Sequence, residues 1–147
     1  MKKLFLAIAI LASIASMATP EPVISKRVLK AFQETFATAK DVVWQDFNDY
    51  SQASFKLDEI QVRAQYSDDG TLLKTIRYYN GDHLLPLIKG KIKQQYPGRE
   101  IYGVTEVATD EKMDFTISIC DSTHWYVLTA TADGDIKEIN KYKRAEN

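Results

Sequence analysis

Few side chains in this sequence have the types and spacing that catalysis requires. Asp121, Ser122 and His124 lie close together and include the three residue types of a hydrolase triad. Triad side chains normally come from separate segments that meet around a substrate, and residues of a single turn seldom reach that geometry. We therefore interpret this group as a turn and not as a catalytic site.

Metal ligands and reactive thiols are also sparse. The chain has 2 His and 1 Cys, which excludes a multi-cysteine zinc site and an internal disulfide framework. Residues 68–70 and 133–135 resemble fragments of calcium loops, but they lack the alternating oxygen ligands and the closing Glu of that motif. We interpret His83, beside Asp82, as a helix-start residue and Cys120 as a packed side chain. We expect no catalytic residue, no cofactor and no metal, and hence a protein that is not an enzyme.

The charge balance argues against a polyanionic partner. Lys and Arg number 19 and Asp and Glu number 20. The lysines at 89, 91 and 93, and those at 137, 141 and 143, do not form a nucleic-acid motif and are interpreted as solvated faces. We expect a protein partner and no nucleic acid.

The first eighteen residues have the three parts of a secretory signal peptide. Lys2 and Lys3 precede an apolar run over residues 4–14, and Ser16 and Ala18 suit a cleavage site. The run is shorter than the ~20 residues that span a bilayer, although a short membrane anchor is the alternative. Cleavage would leave residues 19–147 with a formal charge of −3. We expect a periplasmic or secreted protein with no membrane span after cleavage.

The remaining chain alternates between helical and strand-like patterns. After an extended lead-in over residues 19–24, apolar residues at steps of four predict helices over residues 25–38 and 82–96. Asp82 is the predicted cap of the second helix, and Pro86 suits its first turn. Period-two alternation predicts four strands after each helix. Their ranges are 41–48, 50–57, 60–66, 71–79, 100–109, 112–120, 123–131 and 135–142.

These elements occur in the same order twice, at about residues 25–80 and 81–143. We predict an α+β fold in which each repeat contributes one helix and four antiparallel strands, with both helices on one face of the sheet. The alternative is that the two halves are unrelated and that their similar order of elements is a coincidence. One domain over residues 25–147 follows from this interpretation.

The polar second face of the strands is the candidate binding surface. Alternation leaves Lys56 and Arg63 outside the core, beside the Asp58-Glu59 turn. An offset of 64 between the halves places Trp125 on that face as well, unless the register is wrong and Trp125 is core. Trp and Arg often dominate interface energies. We predict that Lys56, Asp58, Glu59, Arg63 and Trp125 contact a partner, the alternative being a solvated sheet face.

The order of several short motifs resembles the PepSY-like family, also called β-lactamase-inhibitor-like. The motifs lie at residues 36–44, 69–73, 85–86, 96–98 and 133–136. The resemblance implies small exported bacterial proteins, often from Bacteroidetes, without cofactors or catalytic residues. It also implies a fold like that of a β-lactamase inhibitor protein, which binds its enzyme through an open sheet face and a hairpin turn.

Together these observations favour a non-enzymatic exported binding module that acts through the open sheet face, with inhibition of a hydrolase as one form that this binding could take. The alternative is a periplasmic sensor that binds a small ligand or responds to envelope stress. A small apolar pocket would favour the ligand, and a broad open face would favour the protein partner.

Overall fold

A computed structural model describes residues 22–145, which form one eight-stranded antiparallel sheet with two helices. The predicted signal peptide lies outside the described residues. The strands follow one another across the sheet in chain order, which confirms the predicted α+β class. The elements are α1 Lys26–Thr35, β1 Lys40–Asp46, β2 Ser51–Leu57, β3 Ile60–Tyr66, β4 Leu72–Tyr79, α2 Pro86–Gln95, β5 Glu100–Ala108, β6 Met113–Cys120, β7 His124–Thr131 and β8 Ile136–Lys143.

Helix α1 is shorter than its apolar pattern predicts. Ser25 caps the start, where its hydroxyl accepts a hydrogen bond from the Val28 amide at 3.2 Å. The helix ends at Thr35; the φ of −125° at the C-cap residue Phe36 lies outside the helical region, although its amide still donates to the Phe32 carbonyl. The ring of Phe36 continues to pack on the core, so side-chain periodicity extends one residue beyond the helical backbone.

The predicted cap of the second helix is wrong. The Asn80 side chain accepts from the Asp82 amide at 3.0 Å and starts a short 3₁₀ turn, Gly81–His83. Helix α2 begins only at Pro86, where the missing amide hydrogen costs nothing because the first helical amides have no partner inside the helix. His83 therefore lies in the 3₁₀ turn that precedes α2.

Both helices pack on the same side of the sheet. Phe32 of α1 lies 5.0 Å from the Phe55 ring, and Tyr96 after α2 lies 6.4 Å from the Tyr126 ring. The strand register places Phe55 and Tyr126 on the same face of the sheet. That face also contains the buried side chains of β2, β3, β6 and β7. Val28, Phe32, Ile88 and Ile92 complete one hydrophobic cluster with that face. Each half of the chain thus runs from a helix to four strands, and descent from a duplicated repeat stays a prediction.

Two tight turns place residues at positive φ. Asp58, in the β2–β3 turn, has a φ of +53°, a region that Asp tolerates better than most residues. Gly70 has a φ of +93°, and a Cβ there would lie 2.9 Å from the Arg27 carbonyl oxygen. The Ser25 hydroxyl also donates to the Asp68 carbonyl at 3.0 Å, so the β3–β4 turn and the start of α1 fix one another. Within residues 22–145 neither helix is long or apolar enough to cross a bilayer.

Candidate functional site

The face of the sheet opposite the helices is not covered by any element among residues 22–145. We call it the open face. Seven strand spacings of about 4.8 Å make it about 34 Å wide. Its side chains are those that the register pairs away from the core, including Gln52, Ser54, Gln61, Arg63, Gln65, Ile76, Tyr78, Val107, Ser118, Trp125, Val127 and Tyr142.

Large aromatic side chains gather at one end of the open face. We call Tyr102, Trp125, Tyr142 and Arg144 the aromatic cluster. The Tyr102 and Trp125 rings meet edge to face at 4.8 Å, and Tyr142 lies directly opposite Trp125 in the register. The Arg144 guanidinium carbon lies 5.5 Å from the Trp125 ring centroid, a cation–π distance. Tyr102 and Tyr142 are 69% and 53% exposed, so rigid aromatic surface is available to a partner.

A β-bulge explains why Tyr102 belongs to this cluster. The pairing of β5 with β6 shifts between Ile101 and Gly103, which inserts Tyr102 as the extra residue. A bulge redirects the inserted side chain and bends the strand locally. Ile101 still packs on the core and Gly103 pairs on the open face. Gly103 within a strand is the sequence signal that could have indicated the bulge.

The β6–β7 turn holds the cluster in place. Asp121 accepts hydrogen bonds from the Thr123 and His124 amides, each at 2.8 Å. These bonds, with the Thr123 hydroxyl, hold the pKa of Asp121 well below its ordinary value. The Arg144 amide donates to the Thr123 carbonyl at 2.7 Å, and its guanidinium donates to the Asp121 carbonyl at 3.2 Å. Asp121 therefore builds the turn that positions Arg144 beside Trp125.

The same turn is tied to the helix side by hydrogen bonds through Tyr126 and by an Arg99–Asp121 ion pair at 3.4 Å. Tyr126 donates to Asp121 at 2.9 Å, and Arg99 donates to the Tyr126 hydroxyl at 3.0 Å. The Arg99 guanidinium also stacks 4.3 Å from the Tyr126 ring centroid. Trp125 and Tyr126 are neighbours on β7 and point to opposite faces of the sheet. Strand β7 therefore packs on the core through Tyr126 and presents Trp125 to the aromatic cluster.

The orientation predicted for Trp125 is the observed one. Trp125 pairs with Cys120 and is half-buried on the open face, whereas the neighbouring Tyr126 is buried against the helices. Cys120 is itself buried, in agreement with its interpretation as a packed side chain. A contact between Trp125 and a partner stays a prediction.

The five predicted contact residues do not form one cluster. Arg63 lies on the open face with its guanidinium 5.5 Å from the Tyr78 ring centroid, and Lys56 forms a 3.0 Å ion pair with Asp41. Arg63 and Trp125 lie four strands apart, or about 19 Å across the sheet.

Asp58 and Glu59 are exposed in the β2–β3 turn, at the same end of the sheet as the β6–β7 turn. The predicted contact residues therefore mark separate regions of one broad surface. Sequence reasoning missed Tyr102, Tyr142 and Arg144, which are the neighbours of Trp125.

The open face carries more positive than negative charge. Its strand positions include five basic side chains, Lys40, Lys56, Arg63, Lys74 and Lys137, against the acidic Glu100 and Asp114, and Asp41 pairs with Lys56 at the β1 edge. Lys112 pairs with Asp114 at 2.7 Å. The predicted mature chain is acidic overall, so the basic charge is concentrated on this face by the fold.

A buried polar group lies on the helix side, between the two halves of the sheet. Glu106 is buried and accepts hydrogen bonds from Arg77 at 3.0 Å and from the Tyr79 hydroxyl. Burial, and then the neighbouring Glu106 carboxylate, raise the pKa of Tyr79 above its ordinary value. Both carboxylate oxygens have partners, so the ion pair links β4 to β5 at the junction. Among residues 22–145, no three His, Cys, Asp or Glu side chains are placed to hold a metal ion.

Comparison with solved structures finds the same fold in bacterial proteins. The chain is similar to a BLIP-like protein from Bacteroides fragilis, with a TM-score of 0.62, 13% identity and coverage of 86% of this chain and 90% of that one. It is similar to a DUF2874 family protein from Bacteroides ovatus, with a TM-score of 0.62 and 17% identity over 83% of this chain and 89% of that one.

A third similar structure is a candidate periplasmic protein from Bacteroides eggerthii. Its TM-score is 0.61, with 15% identity over 83% of this chain and 90% of that chain. No protein-family model matches the sequence, and no curated protein sequence matches it. At these identities the likeness defines the fold, which is the BLIP-like fold of the resemblance; a PepSY relationship stays a prediction.

Proposed function

We propose that this chain is an exported, non-enzymatic protein-binding module that acts through its open face. The observation that carries the proposal is the aromatic cluster, with two tyrosines more than half exposed beside Trp125 and Arg144. The solvated face of an antiparallel sheet is ordinarily polar. Trp, Tyr and Arg are the side chains that most often dominate protein interfaces.

The charge of the open face indicates the kind of partner. The excess of basic over acidic strand positions on the open face favours an acidic protein surface, since complementary potentials speed encounter and fix orientation. Asp58 and Glu59 stay proposed contacts at the margin, with Lys56 and Arg63 on the face itself. The neighbour described as BLIP-like supports a protein partner, and the resemblance to β-lactamase-inhibitor-like proteins suggests a hydrolase as the partner class, inhibited by occlusion of its active site.

Export supports the same function. The charged start, apolar run and small-residue site of residues 1–18 are typical of a signal peptide. A structural neighbour is itself described as a candidate periplasmic protein. We infer a periplasmic or secreted location, a single domain over residues 25–147 and an origin in two repeats of one helix and four strands.

Affinity capture from the bacterial envelope tests the proposal. The complete chain, tagged at the C-terminus and recovered after export, is used as bait beside its Trp125→Ala variant. Phe47→Ala is the matched control, because Phe47 is an exposed aromatic outside the cluster. We expect a protein captured by wild type and by Phe47→Ala, released by rising salt, and lost with Trp125→Ala. Capture that is equal for all three baits would refute the proposal.

A further inference from the structure

The two edges of the sheet differ in how they are protected. Strand β8 has Lys137, Glu138, Lys141 and Lys143 along its length, and charged side chains on an edge discourage pairing with another chain. Strand β1 has charges only near its ends, while its centre is the uncharged run of residues 42–45. Within residues 22–145 no strand pairs with the outer side of β1.

The unpaired edge of β1 is also apolar. Val43 is 61% exposed and Val42 is 37% exposed. A groove of about 590 Å³ lies between α1 and this edge, lined by Pro22, Val23, Ile24, Leu29, Val42, Val43 and Trp44. Val23 and Leu29 are themselves exposed. Apolar side chains thus line an edge whose backbone hydrogen-bonding groups have no partner strand.

The sequence of β1 is complementary to itself when two copies run antiparallel. Pairing about Val43 sets Val43 against Val43 of the second copy and Val42 against Trp44. It also sets Asp41 against Gln45 and brings Lys40 near Asp46 at the margin of the paired segment. Parallel pairing would instead bring like charges together. A two-fold axis through Val43 generates such a self-complementary contact.

We propose that β1 pairs antiparallel with β1 of a second copy of this chain, forming a dimer with a continuous sheet. Trp44, Val42 and Leu29 of each copy then cover the apolar groove of the other. The Lys40/Val43 bulge in the β1–β2 pairing and the positive φ of Asp41 end regular pairing near residue 41. A short paired segment predicts a modest interface, so the dimer forms reversibly with concentration.

Sedimentation velocity of the exported chain over a range of concentrations tests this pairing. Val43→Lys sets two positive charges face to face at the two-fold axis and should leave only monomer. Ile139→Lys is the matched control, because Ile139 is a 52% exposed apolar residue on the opposite edge strand. We expect dimer in wild type and Ile139→Lys and monomer in Val43→Lys, with unchanged circular dichroism in all three.

Cysteine pairing tests the register itself. In a Cys120→Ser background, Val43→Cys should form a disulfide-linked dimer on mild oxidation, since residues directly opposite on antiparallel strands lie about 4.5–5.5 Å apart at Cα. Ile139→Cys in the same background should stay monomeric.

Three outcomes would overturn the proposal: a wild type that is monomeric at every concentration, a dimer that Ile139→Lys disrupts, or a dimer that survives Val43→Lys. A monomer would direct the search for an occupant of the groove to a peptide of another protein. Trp125→Ala should leave the dimer intact, so this test is independent of the proposed open-face function.

Discussion

Replacement of Phe32 by Ala tests how α1 is held on the sheet. Phe32 is 9% exposed and lies at the centre of an aromatic group, with its ring 5.2 Å from Trp44 and 5.0 Å from Phe55. Removing a buried Phe side chain typically costs about 3–5 kcal/mol. Phe32 also lines a groove that opens to solvent beside α1, so water can enter the space and the cost should fall at the lower end, about 3 kcal/mol.

Urea unfolding followed by circular dichroism measures this loss. With a slope near 2 kcal/mol per M, a loss of about 3 kcal/mol lowers the midpoint by about 1.5 M. Gln33→Ala is the control, because Gln33 is the next residue of α1 and is exposed; it should change the unfolding free energy by less than about 0.5 kcal/mol. Equal midpoints for Phe32→Ala and Gln33→Ala would refute the packing of α1 described above.

The remaining predictions concern ionisation, turn geometry and export. Burial raises the pKa of Tyr66 from 10.0 to about 12; the unfolded chain therefore loses this proton first, and urea unfolding should show stability that is full below pH 10 and falls as the pH rises toward 12. Gly70→Ala should destabilise the fold by more than about 1 kcal/mol, because of its positive φ and the nearby carbonyl oxygen. Gly90→Ala in α2 should stabilise it by up to about 1 kcal/mol, since a Cβ there meets nothing within 4 Å; a thermal melt that ranks these two variants in the reverse order would contradict the geometry. Intact mass of the exported chain should show cleavage after Ala18, and a full-length chain confined to the cytosol would contradict export.

The order of helices and strands could be predicted from the sequence because apolar residues recur every four positions in the helices and every two positions in the strands. Steps of four mark Val28, Phe32, Ile88 and Ile92, and all four are buried in the structure. Alternation on β6 places Phe115 and its partners inward, as observed. Both patterns arise because each helix or strand buries one of its faces, and the residues of that face can be identified from the spacing within the segment alone.

The start of α2 could not be predicted in the same way. Asn80 and Asp82 are both favourable caps, and only the backbone path decides between them. The 3₁₀ turn passes so close to β5 that a Cβ at Gly81 would lie 2.9 Å from the Ile101 side chain. That constraint comes from β5, which is distant in sequence.

The candidate site was predicted least well, because it depends on register and strand order. The offset between the repeats predicts the correct face for Trp125. Its neighbours Tyr102 and Tyr142 come from a bulge and from the last strand, and neither position follows from alternation. The same pattern groups Arg63 with Trp125, although four strand spacings separate them. Alternation predicts the face on which a side chain lies, but it does not predict the position of its strand across the sheet.

Titration of the captured partner against wild type and Trp125→Ala, with urea unfolding of both proteins, tests the central claim most directly. Open-face recognition predicts that Trp125→Ala loses at least about 2 kcal/mol of binding free energy, or about 30-fold in Kd. The unfolding midpoint should barely change, because Trp125 lies outside the core cluster. Unchanged affinity in Trp125→Ala would contradict the claim, and so would a loss of affinity that is accompanied by collapse of stability.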